Sequence, residues 1–204
     1  MKIRIESYNE DWVRQFAKIR DELFFLLKIF NPKIEHFGST SVPGLAAKPV
    51  IDILVGVQDV NKFDLLAENI LESNNFIYLK AFNKLVPNRR MFVKLKDEIN
   101  TEEFEEIYTK LEDIPHDRIN CVRIAHVHVW EYESDDWIRH IAFREYLKFH
   151  DDVKLSYGNL KKELSRKDWR NGLEYNEGKD MFLKVEEKKA ISWYLKTNKN
   201  KNYG

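Results

Sequence analysis

Trp12, Phe16, Ile19, Leu23, Leu26 and Phe30 recur at intervals of three and four, which predicts an amphipathic helix from about Asn9 to Ile29. Ser7 and Glu10 have the spacing of a capping box, Asn9 is a competing cap, and Pro32 stops the helix. Lys33 to Phe37 can form a short strand. Val50 to Val57 is apolar throughout except for Asp52. A strand this apolar is central and covered on both faces, so its one carboxylate belongs at an open end or against a cleft. Phe63, Leu66, Ile70 and Leu71 mark a second helix, started by Asp59 or Asn61. Phe76 to Leu79 and Arg90 to Leu95 read as strands, joined by a loop whose Pro87-Asn88 is a turn signal. Thr101 to Leu111 predicts a strongly acidic helix that ends before Pro115, and Val122 to Trp130 alternates as a strand does. From Ser134, a potential cap, the pattern turns helical: one helix passes through Trp137, Ile141 and Leu147, a second covers Asp152 to Leu164, and a third runs from about Tyr175 to Tyr194.

This order predicts an α+β fold, a mixed sheet flanked by helices with a helical C-terminal segment. Length agrees: 204 residues suit one domain. We place it at residues 1–196, with a core over about 1–133, a helical part over about 134–196, and a disordered Lys/Asn-rich tail at 197–204. The formal net charge is zero, which argues against bulk nucleic-acid binding through a broad basic face. It leaves room for a local basic pocket. The first residues lack the uninterrupted apolar core of a signal peptide, and no apolar run approaches a membrane span. A cytoplasmic protein is expected, and its single cysteine, Cys121, is expected to be a buried structural thiol.

The chemistry concentrates in His36-Phe37-Gly38-Ser39-Thr40-Ser41-Val42-Pro43-Gly44-Leu45-Ala46-Ala47-Lys48-Pro49-Val50-Ile51-Asp52. Backbone N–H groups in a turn at Gly38, Ser39 and Thr40 can cradle phosphate. Asp52 on the following strand can hold a magnesium ion. His126 and His128 fall on one face of their strand, with Val127 and Val129 on the other. If that strand neighbours the strand of Asp52, the three make a His-His-Asp set, whose imidazoles suit transition metals better than magnesium. The alternatives for the two rings are phosphate contacts or satisfied histidines on a polar sheet face. Lys48, Arg89 and Arg90 supply positive charge, although Arg89 and Arg90 point to opposite faces of an extended chain. His140 and Arg144 share a helix face one turn apart, where Arg144 either meets an anion or pairs with an acid. Trp137, Phe143, Tyr157, Tyr175 and Phe182 read as packing residues.

The run from His36 continued through Ile53-Leu54-Val55-Gly56-Val57 resembles the signature of the GrpB family. The resemblance extends to Pro87-Asn88-Arg89-Arg90-Met91-Phe92, His126-Val127-His128-Val129 and Trp137 to Leu147. Farther on it takes in Tyr157, Leu160, Lys161, Tyr175, Lys179 and Phe182. Membership implies a fold like that of the polymerase-β-type nucleotidyltransferases. It also implies a nucleotide or other phosphorylated small molecule as ligand, since GrpB-like domains occur fused to dephospho-CoA kinase. On this footing the chain is expected to be a metal-dependent nucleotidyltransferase with an unknown acceptor. Gly38, Ser39, Thr40, Lys48, Arg89, Arg90 and Arg144 would bind the cofactor or substrate phosphates. Asp52, His126 and His128 would hold a metal, expected to be Mg2+, and Asp52 and His128 would be catalytic. One departure stands out. Active members of the wider superfamily carry Asp-x-Asp or Asp-x-Glu on this strand, whereas this chain reads Asp52-Ile53-Leu54. A module that binds a nucleotide or CoA-related ligand without catalysis is therefore the alternative. The acidic stretch at 101–113 is longer than this connection usually is in the family and reads as a surface elaboration.

Overall fold

A computed structural model describes residues 2–66 and 75–201 of the chain. It divides into two compact units, one made of residues 13–36 and 50–137, the other of residues 1–12, 37–49 and 138–204. The fold is α+β, with a five-stranded mixed sheet flanked by helices. The strands are β1 (Lys33–Phe37), β2 (Ile51–Val57), β3 (Phe76–Tyr78), β4 (Arg90–Leu95) and β5 (Arg123–Glu131), and their spatial order is β1-β2-β5-β4-β3. β2 and β5 are parallel, while β4 is antiparallel to both β5 and β3.

In the first unit, helix α1 (Asp11–Leu26) buries Ile19 and Leu23, two positions of the predicted stripe. Asn9 caps it, its side chain accepting from the Asp11 N–H at 2.9 Å. β2 is buried along its length except at Asp52, which sits one residue inside the strand's start. α2 (Val60–Asp64) starts at Asp59, whose carboxylate accepts from the N–H groups of Asn61 and Lys62. The rest of the helix expected there includes Ile70 and Leu71, which lie outside the described residues. α3 (His116–Val122), which the sequence pattern does not predict, precedes β5 directly. Ile77, Leu79, Val93, Leu95, Tyr108, Ile114 and Ile119 form one of the cores of this unit.

Two expectations are corrected here. Thr101 to Leu111 is not a helix: a short 3-10 turn (Thr101–Glu103) leads into extended chain that lies along β3. The Tyr78 N–H donates to the Glu106 carbonyl at 2.8 Å, and the Tyr108 N–H donates to the Tyr78 carbonyl at 2.9 Å. An edge strand offers ready backbone partners. A short helix crowded with Glu102, Glu103, Glu105 and Glu106 would have repelled itself and gained little in isolation. Cys121, on α3, is exposed rather than buried.

The second unit holds the Gly-Ser loop and most of the C-terminal helices, α4 (Asp135–Phe149), α5 (Asp151–Ser165) and α6 (Gly172–Lys201). Val42, Leu45, Leu147 and Tyr157 form a core with Phe143 and Phe182 packed against it. Tyr157 stacks on Phe182 at 5.2 Å. These aromatic residues are packing groups, as the pattern predicts. Ile3, Leu164 and Tyr175 make a second cluster. α6 continues to Lys201, beyond the point where the tail was expected to begin, and 202–204 lie outside the described residues. Among the described residues, no helix is long and apolar enough to cross a membrane.

Candidate metal centre and anion loop

β2 and β5 run side by side with Asp52 opposite His126 and Leu54 opposite His128. Directly paired residues project from the same face of a sheet, and side chains alternate faces along each strand. Asp52, His126 and His128 therefore share one face. Ile53, Val55, Val127 and Val129 are buried on the other. The apolar face anchors the two strands, and that anchoring fixes where the polar face points.

Asp52 Oδ1 lies 3.1 Å from His126 Nδ1. The rings of His126 and His128 are 6.2 Å apart and nearly perpendicular. One ligand atom from each of the three residues lies within 4.8 Å of the others, and all three side chains are half-buried. Two neighbouring donors on an ion held at about 2.1 Å are separated by roughly 3.0–3.4 Å. The Asp52–His126 pair already has that spacing. Half-burial limits competition from water while leaving an approach to the site.

A residue that the alternation pattern alone would place elsewhere joins this face. Between β4 and β5 the register runs Val93↔His126, Lys94↔Ala125, Leu95↔Arg123, so Ile124 is skipped. Val93 and Leu95 share a face, and their partners His126 and Arg123 must share it too. Unbulged alternation would have sent Arg123 to the face of Ala125 and Val127. Burial pulls the Arg123 pKa down, and the negative charge of Asp52 pushes it back up.

Two buried cations of this unit have settled partners. Arg90 is buried, and its guanidinium grips both carboxylate oxygens of Asp64 while donating to the Pro87 carbonyl at 2.6 Å. Protein oxygens thus fill its fork. That pairing raises the Arg90 pKa, chiefly through the hydrogen bonds to Asp64. Lys94, also buried, donates to Glu22 at 2.7 Å. Arg89 is half-buried on the loop before β4.

The second unit carries the loop. Gly38 has φ of 70°, in the left-handed region that favours glycine. The turn that follows is closed by the Ser41 hydroxyl, which donates to the Gly38 carbonyl at 2.7 Å. Thr40 is buried, so it shapes the turn from inside. Ser39 Oγ accepts from Lys161 Nζ at 2.8 Å, and Lys161 is itself 3% exposed. Lys161 lies over the Tyr157 ring at 4.4 Å. A buried lysine side chain thus donates to the Gly-Ser turn. Lys161 was legible only as part of the family resemblance, because a lysine at a helical position ordinarily reads as solvated surface. Lys48 lies over the Tyr175 ring at 4.3 Å. Arg144 Nε donates to Glu145 at 2.7 Å, which favours its reading as a paired residue.

Comparisons with known proteins agree with this architecture. The family described as "GrpB protein" matches residues 2–189. "Glutamate-rich protein GrpB" of Alkalihalophilus pseudofirmus is 29% identical over 182 residues, 89% of this chain and 92% of that protein. "UPF0157 protein YqkA" of Bacillus subtilis is 29% identical over 195 residues, but the chain spans about half, 48%, of that relative's length. The crystal structure of conserved protein GrpB from Enterococcus faecalis is similar at a TM-score of 0.72 and 32% identity, covering 94% of this chain and 99% of that one.

Proposed function

The chain belongs to the GrpB family, and we propose that it is a metal-dependent enzyme that transfers a nucleotidyl or related phosphoryl group from a phosphorylated small molecule, with its metal held by Asp52, His126 and His128. One observation carries this reading: the parallel register that sets Asp52 opposite His126 and Leu54 opposite His128. Leu54 stands where active nucleotidyltransferases place a second carboxylate. Its direct neighbour across the ladder is His128, so a donor from β5 can take over the role that β2 lacks. Two imidazoles and one carboxylate suit a transition dication such as Mn2+, Zn2+ or Co2+. They are a poor match for Mg2+, which prefers an all-oxygen octahedron. Three protein ligands leave coordination positions for water or a substrate oxygen, as catalytic rather than structural centres do. An ion there would polarise a phosphoryl oxygen. The Gly38-Ser39 turn, with the Lys161 amine on it, independently suits a phosphorylated ligand.

Thermal unfolding with individual metals tests the proposal. At a hundredfold excess over Kd, a bound ion stabilises by about 2.7 kcal/mol, which for a chain of this size raises Tm by roughly 5–11 °C. Mn2+, Zn2+ or Co2+ should give this shift at a level where Mg2+ does not, and Asp52→Asn, His126→Ala or His128→Ala should remove it. Absence of any stoichiometric transition metal in the wild-type protein would overturn the metal reading. The transfer reading is checked by pyrophosphate release from nucleoside triphosphates by the metal-loaded protein. A loaded protein that binds triphosphate without turnover is the non-catalytic module suggested by the single carboxylate.

A further inference from the structure

We infer that Arg123 is an oxyanion-binding residue of the Asp52–His126–His128 centre, and that the centre's substrate presents a phosphate-type oxyanion to the guanidinium and the metal together. This deepens the metal reading above and rests on it. The first support is position. The β-bulge at Ile124 turns Arg123 onto the face that carries the three ligand residues, against the alternation of its own strand. Bulges that re-aim one side chain are common beside active sites.

The second support is bonding. Arg123 Nε is buried with no hydrogen-bond partner, and among the described residues no carboxylate pairs with its guanidinium. A buried guanidinium N–H is ordinarily paired, because leaving such a donor unmet is costly. Arg90, two strands from β2 in the same sheet, shows the saturated form, with Asp64 and the Pro87 carbonyl filling its donors. Arg123 has a comparable fork and lacks such a set.

The third support is charge. The negative charge of Asp52 acts on Arg123, and the positive charge of Arg123 acts on His116. His116 is a base and cannot neutralise a cation. Asp52 is the one acid of the candidate metal set, so a bound dication would claim its charge. Two positive charges from the ion and one from Arg123, against one negative from Asp52, leave the site with a net excess of about two positive charges if the imidazoles are neutral. An anionic ligand satisfies that excess. The planar guanidinium can meet two oxygens of one phosphate while a third reaches the ion.

The experiment uses the full chain loaded with Co2+, whose visible absorption reports its ligands, titrated with inorganic phosphate. Wild-type protein should show a saturable phosphate-dependent change in the cobalt spectrum. Arg123→Gln should keep the cobalt stoichiometry and bind phosphate about 10- to 100-fold more weakly, the loss expected for hydrogen bonds to a charged group. Arg123→Lys keeps the charge without the fork and should fall between the two; it also serves as the folded variant should the glutamine protein misfold. Acetate, a planar monoanion, should bind more weakly than phosphate to the wild type. Phosphate affinity unchanged in either folded variant overturns the inference. If cobalt fails to bind the wild-type protein, the metal reading falls by itself. Calorimetric phosphate titration of the metal-free proteins then decides for or against Arg123 on the same criterion.

Discussion

Gly56 gives a quantitative test of how tightly the sheet is packed around the candidate site. It lies on β2 four residues beyond Asp52 and on the same face. A Cβ built there would meet Trp137 Cζ3 at 2.8 Å, Tyr132 Cδ2 at 3.0 Å and Trp137 Cη2 at 3.1 Å. Carbon atoms ordinarily approach to about 3.5–4.0 Å, so Gly56→Ala requires the indole ring to retreat by several tenths of an ångström. It has little room to do so. Trp137 is 6% exposed, and its ring is braced edge-on by Tyr132 at 5.3 Å. Forcing a methyl group into such a core costs about 1–3 kcal/mol. The lost flexibility of the unfolded chain returns about 0.4–1 kcal/mol, because Gly56 occupies ordinary strand backbone that alanine can adopt. The expected net destabilisation is about 0.5–2 kcal/mol, or a Tm lower by roughly 1–8 °C. Urea and thermal unfolding followed by circular dichroism measure it. In a Trp137→Phe background the smaller ring relieves the contact, and the cost of Gly56→Ala should shrink. Metal binding should be unaffected, since four residue steps along the strand place Gly56 about 13 Å from Asp52. A Gly56→Ala protein as stable as the wild type, or a cost that persists undiminished in the Trp137→Phe background, would refute the packing argument.

Arg90→Lys keeps the buried charge but loses the two-pronged grip on Asp64, and should cost about 1.5–3 kcal/mol in a urea titration. Asp64→Asn should cost a similar amount and the double variant much less than the sum, so strictly additive losses would dismiss the pairing. Glu145 supplies a pH test. Burial pushes its carboxyl up, but the charges of Arg144 and Lys148 outweigh burial and hold it below its ordinary value of 4.5. A carboxyl depressed in the folded state contributes stability above its unfolded value and loses it as the pH falls through the folded value. Wild type should therefore lose more stability than Glu145→Gln between about pH 5 and pH 3. Parallel acid limbs for the two proteins would contradict this.

The chain's own periodicity determined a good deal. Alternation at His126-Val127-His128-Val129 fixed that the two imidazoles face the same way, because successive strand residues must point to opposite faces. The lone carboxylate in an otherwise apolar stretch marked Asp52 as belonging at an open strand end or against a cleft. Gly38 announced a turn, and the three- and four-residue spacings marked α1, α4, α5 and α6. These are local rules, and they hold whatever the rest of the chain does.

Adjacency was beyond them. His126 lies 74 residues from Asp52, and nothing in either segment states that β5 slots between β2 and β4. That order comes from how all the strands together bury their apolar faces. The same competition made the acidic stretch at 101–111 an extended cover for β3, where its backbone found partners that helix formation would have forgone. Arg123 is the sharpest case. Alternation counted along β5 places it on the face of Val127, but one skipped residue in the pairing with β4 reverses the parity and delivers its charge to the face of His126. Local pattern dictates which way a side chain points relative to its neighbours on an unbroken strand. Only the tertiary pairing decides where the strand is broken, which strand lies beside it, and therefore which residues share a site.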